Sequence, residues 1–129
     1  MIDHVSVPVR SIVESTRFYT AVLGALGYAK LETREETVGY GKEYPEFWIN
    51  LRDGLEAAPA GNGAHICLRA GSTRMVDAFH AAGIAHGAGS DGAPGLRPHH
   101  GDGYYAAFIR DLDGNRIEAV TFVAQNNQN

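Results

Sequence analysis

The chain has 129 residues, a net charge of −4 and one cysteine, enough for a single domain that buries about two-thirds of its unfolded surface. With a pI near 5.8 it offers no electrostatic footprint for nucleic acid or an anionic membrane. No apolar run approaches the roughly 20 residues of a membrane span, and no charged-then-apolar leader precedes the first strand. A cytoplasmic location and a small-molecule partner are therefore expected, with Cys67 unable to form an internal disulfide.

The first nine residues read as a strand with two unlike faces. Val5, Val7 and Val9 fall on one side and His4, Ser6 and Pro8 on the other, because side chains alternate along a strand. Ser11 to Glu14 then match a capping box, and Phe18, Val22 and Leu26, flanked by Tyr19 and Leu23, form a helical stripe that Gly24 or Gly27 would end. Residues 28–34, 38–41 and 46–51 alternate as a three-strand meander, with 42–45 as the last turn. The glycine- and proline-containing stretch 52–63 has the texture of a linker.

The second half opens on His65, with Ile66 and Leu68 on the apolar side and Cys67 beside the histidine. A helix capped by Ser72 follows, with Met75, Val76, Phe79 and Ala82 inward and Gly83 as its expected stop. A short strand near Ile84 and a long loop over 87–103 come next, then a strand over 104–110, a turn over 111–115 and a strand over 116–123. Residues 125–129 read as a frayed tail. The expected organisation is one domain: module one over about 1–56, a linker at 57–63 and module two over 64–124.

An offset of 61 residues carries His4 onto His65, Ser11 onto Ser72 and Phe18 onto Phe79. Such a register suggests an internal duplication. Glu118 stands in a strand between Ile117 and Ala119, where an unpaired carboxylate would cost several kcal/mol. A divalent metal shared by His4, His65 and Glu118 would compensate it, and two imidazoles with one carboxylate leave coordination positions open.

Three stretches carry a family resemblance: His4 to Val9, His65 to Ala70, and Asp111-Leu112-Asp113-Gly114-Asn115 running on to Glu118-Ala119. Together they resemble the vicinal oxygen chelate superfamily of glyoxalase I, fosfomycin-resistance transferases, bleomycin-resistance proteins and type I extradiol dioxygenases. The resemblance implies an α+β fold of two tandem β-α-β-β-β modules forming an open, curved, eight-stranded barrel-like sheet with helices outside. It also implies a divalent ion (iron, manganese, nickel, cobalt or zinc) on the three ligands, and lyase, isomerase, transferase or dioxygenase chemistry through a stabilised oxyanion. A homodimer is implied too, with ligands drawn from one chain or from two. Glyoxalase I has a fourth ligand from the last strand of module one. Aligning the hairpins puts Trp48 there, whereas the ungapped offset puts Ala57, and neither binds metal.

Several further residues have candidate roles from their own chemistry. His99, His100 or Tyr104 could act as acid or base, and Arg97 could receive an anionic group. Trp48 is either a platform for a flat substrate or core, and Cys67 a ligand contact or a small buried hydrophobe. Tyr104 and Tyr105 must point opposite ways, so at most one lines a pocket. The alternatives to an enzyme are a metal-free binder of the bleomycin-resistance kind and a vestigial site on a protein-interaction module.

Overall fold

The computed structural model describes residues 1–124; the tail expected over 125–129 lies outside the described residues. Each half follows the order β-α-β-β-β. The first holds β1 (Val5–Val9), α1 (Ile12–Gly24), β2 (Ala29–Thr33), β3 (Thr37–Gly41) and β4 (Pro45–Leu51). The second holds β5 (His65–Arg69), α2 (Thr73–Ala85), β6 (Gly89–Leu96), β7 (Tyr104–Arg110) and β8 (Arg116–Phe122). Both helices run 13 residues, and each N-cap serine, Ser11 or Ser72, accepts from the amide three residues on at 3.2 Å. The duplication read from the histidines thus extends to the caps.

The eight strands form two separate four-stranded sheets, ordered β1-β4-β3-β2 and β5-β8-β7-β6, open rather than closed. In each, the first strand lies parallel to the last and the other pairs are antiparallel. Alternation along the strands gives each sheet a helix side and an open side. Val7, Val9, Val38, Tyr40, Phe47 and Ile49 bury against α1, while Ile109, Ile117 and Ala119 join Phe79 and Val76 of α2 in the same core. Each large apolar side chain so buried contributes about 1.5–3 kcal/mol.

Two expectations for module two are corrected. No strand lies near Ile84, because α2 passes Gly83 and ends at Ala85. Gly83 is an interior contact, where an added Cβ would stand 3.1 Å from Ile109 Cδ1. The turn comes instead at Gly87, whose φ of +97° suits glycine. The stretch 87–103 is also not one long loop: Gly89–Leu96 is β6, followed by a 3-10 turn over Pro98–His100. Its composition hid it. β6 is an edge strand broken by irregularities at Ser90/Gly92 and Gly92/Gly95, a setting that tolerates Pro94 and glycines that a central strand would not.

The turn between β7 and β8 clasps the modules together. Asp111, buried, accepts the Tyr19 hydroxyl of α1 at 2.5 Å and both the backbone and the side-chain N–H of Asn115 at 2.8 Å. Asn115 in turn donates to the Pro8 carbonyl at 2.9 Å, and Asp113 accepts from the Arg10 guanidinium at 2.8 Å. Burial raises Asp111 above the usual carboxylate range, against the hydrogen bonds that lower it, and it pushes Tyr19 well above the ordinary phenol value.

Candidate functional site

The open face of module two carries the chemistry. Strand pairing sets Cys67 beside Glu118 and Phe108 on its other flank, while Tyr104 lies further along β7. Glu118 is 2% exposed. Its two oxygens are separately engaged: Oε1 lies 3.1 Å from His65 Nε2, and Oε2 accepts the Tyr104 hydroxyl. Every buried side-chain nitrogen and oxygen among the described residues has a partner, so neighbouring side chains supply the compensation that the carboxylate required.

His65 faces an acceptor at each ring nitrogen, the Gly63 carbonyl at 3.4 Å from Nδ1 and Glu118 at Nε2. A neutral imidazole has only one N–H. Either Nε2–H donates to Oε1 with Nδ1 left unprotonated, or a cation is shared between Nε2 and the carboxylate. Two neighbouring ligands of one ion, with bonds of roughly 2.1 Å at right angles, stand about 3 Å apart. The observed spacing suits that donor set.

His4 does not join them. It lies just before β1, half-exposed, with Nδ1 2.8 Å from Asp3 Oδ1. His4 and His65 border one cleft between β1 and β5, yet among the described residues no three His, Cys, Asp or Glu side chains gather as a metal group. The register supports the hairpin alignment of the modules: Cys67 pairs with Glu118, and Ser6, its repeat partner, pairs with Trp48. Ala57 lies beyond β4.

The remaining candidates divide between the faces. Cys67 is exposed as a residue, but its thiol rests against Glu118; desolvation, with that charge, pushes it up to about 12, so it stays protonated near neutral pH. Desolvation and the bond to Glu118 raise Tyr104 as well. Tyr105 points the other way and donates to Asp77 of α2 at 2.6 Å, so the structure does not bring it to this site. His100 stacks on His99 with ring centroids 4.1 Å apart and comes within 5.3 Å of the Tyr104 ring. Arg97 donates to the Ala93 carbonyl at 2.6 Å and lies over Phe108, which ties it to β6 and β7.

Trp48 is on the open face of module one, outside the core cluster. Its ring lies on Gly39, where a Cβ would come within 2.8 Å of it. Arg34, which the sequence reading passed over, sits above that ring at 5.7 Å. Its setting among Glu32, Glu35 and Glu36 reads as a solvated turn, and only the strand register brings it over Trp48.

Two β-α-β-β-β modules, each with its helix on one side of the sheet and polar residues on the other, define a duplicated α+β fold of the glyoxalase class. The family model described as Glyoxalase/Bleomycin resistance protein/Dioxygenase superfamily matches residues 1–119, and the chain belongs to that superfamily. A glyoxalase/bleomycin resistance protein from Albidiferax ferrireducens T118 is 37% identical, with TM-score 0.79, covering 92% of this chain and 96% of its own. A family enzyme from Burkholderia phytofirmans PsJN is 20% identical, with TM-score 0.71 over 95% of this chain and 98% of its own. A fosfomycin resistance protein from Listeria monocytogenes shares the fold at 15% identity, with TM-score 0.69 over 95% of this chain and 93% of its own. No protein of curated function matches the chain.

Proposed function

We propose that this protein is a divalent-metal-dependent enzyme acting on a small oxygenated or thiol-conjugated substrate. The observation that carries the reading is the His65–Glu118 contact, in which a ring nitrogen and a carboxylate oxygen, both competent metal donors, lie 3.1 Å apart. His65 and Glu118 are two of the ligands, and His4 of a second copy is the third. The open sheets favour a second copy, since His4 lies outside the His65–Glu118 cluster of its own chain. A bound ion would polarise neighbouring substrate oxygens and stabilise the anion that forms on them.

The chain's own residues have distinct tasks in this reading. Tyr104 holds Oε2 of Glu118 and so fixes the carboxylate's orientation. His100, at the rim beside Tyr104, is the histidine placed to exchange a proton with solvent. Phe108 and the covered face of Glu118 keep water from one flank of the site.

Metal analysis of untagged protein tests this, comparing the wild type with a His4→Ala, Glu118→Ala double variant. About one divalent ion per chain, lost in the variant, is expected for a single such site. A second reading is a metal-free binder of the bleomycin-resistance kind, favoured by the full satisfaction of Glu118 by Tyr104 and His65. Metal-free protein after incubation with each candidate ion, combined with ligand binding that persists in chelator, would select that reading.

A further inference from the structure

The open face of module one holds a cavity of about 240 Å³ lined by His4, Ser6, Arg34, Thr37, Trp48 and Asn50. No carboxylate lines it among the described residues. Thr37 donates to Asn50 Oδ1 at 2.5 Å. The single hydroxyl hydrogen is shared with the Ile49 carbonyl at 3.1 Å, and with Oδ1 turned to Thr37 the amide's N–H groups are what Asn50 offers a ligand. Ser6 adds a hydroxyl, and the Arg34 guanidinium lies over the Trp48 ring.

Arg34 differs from four of the five arginines of module two, Arg74 being the other. Arg97 is tied to the Ala93 carbonyl, Arg110 to Asp91 at 2.8 Å, Arg116 to the Ala60 carbonyl and Asp91, and Arg69 lies over Phe122. Arg34 has one ion pair, with Glu32 at 3.3 Å, and both side chains are exposed. Such a pair holds its partner weakly.

We propose that this cavity is the subsite for an anionic group of the substrate, a carboxylate or phosphate oxyanion held by Arg34 and Asn50 beside the Trp48 ring. A guanidinium fork matches either oxyanion bidentately, and the indole carries the adjoining apolar part. The proposal rests on reading the open faces as the substrate site; His4, proposed above as the third metal ligand, borders the cavity but is not one of the groups proposed to hold the anion.

Trp48 is the chain's single tryptophan, so its fluorescence reports on the subsite directly. The full chain is titrated in chelator, at constant ionic strength made up with chloride, with inorganic phosphate, acetate and, as a neutral control, glycerol. A saturable change with phosphate or acetate and none with glycerol is expected; which oxyanion is tighter tells the two chemistries apart. In Arg34→Gln, with an unchanged circular dichroism spectrum, the midpoint should rise about tenfold or more, as for loss of a charged hydrogen-bond donor. In Glu32→Gln, which frees the guanidinium, it should fall about twofold to threefold. No saturable response to either oxyanion, or an Arg34→Gln titration superimposable on wild type, would overturn the proposal. Because chelator is present throughout, that result leaves the metal reading standing, and a failed metal analysis leaves this one standing.

Discussion

The Nε2 atom of His65 lies 3.1 Å from Oε1 of Glu118 across the parallel pair β5 and β8. The two residues are 53 positions apart in sequence, and the parallel pairing exists because α2 carries the chain over the sheet before β8 returns beside β5. The same crossover in module one brings Trp48 beside Ser6. One architecture therefore makes a candidate ligand pair on one module and an aromatic floor on the other.

If His4 reaches the ion from a second copy, single variants should complement each other. His4→Ala and Glu118→Ala chains, each unable to hold metal alone, should recover about one quarter of the wild-type metal content when unfolded together and refolded in equal amounts. Half of the resulting two-fold dimers are hybrids, and each hybrid rebuilds one of its two sites. Metal analysis of the mixture reads this directly; no recovery would place all three ligands in one chain.

Tyr104→Phe should weaken metal binding by about 10- to 100-fold, because it frees one oxygen of Glu118 without touching a ligand. Isothermal titration with the divalent ion measures it. An unchanged affinity would show that His65 alone orients the carboxylate.

Tyr19→Phe should destabilise the fold by about 1–3 kcal/mol at neutral pH, since Asp111 is buried and loses one of its donors. The sign of the pH dependence follows from the raised value of Tyr19. Below the ordinary phenol value of 10.0 both folded and unfolded Tyr19 are protonated and the advantage is complete. As pH rises past it the unfolded chain ionises first, so wild-type stability falls relative to the variant. Denaturant unfolding of both proteins from neutral to alkaline pH should show the gap narrowing; a gap that widens would contradict the buried Tyr19–Asp111 bond.

The features legible in the order of residues alone are local or repeated. The valines of β1 and the histidine opposite them follow from strand alternation. Ser11 and Ser72 mark helix starts through their own hydroxyls, and Glu118 announces itself as a charge between apolar neighbours. These signals need only a few neighbouring residues, so they survive without knowledge of the rest of the chain. β6 was not legible, because its glycines and Pro94 carry turn chemistry and only pairing with β7 makes them a strand.

Long-range packing selects which of these residues meet. The packing of α1 and the β7–β8 turn, through Tyr19, Arg10, Asp111 and Asp113, sets the two sheets in place, with His4 outside the His65–Glu118 cluster. The strand phase of β7 sent Tyr104 to Glu118 and Tyr105 to Asp77, a choice that alternation posed but could not make. Arg34 came to Trp48 through two pairings, Glu32 with Gly39 across β2 and β3 and Gly39 with Trp48 across β3 and β4. Such contacts depend on loop closure and on the register between distant segments, free-energy terms that belong to the whole chain and to no window of it.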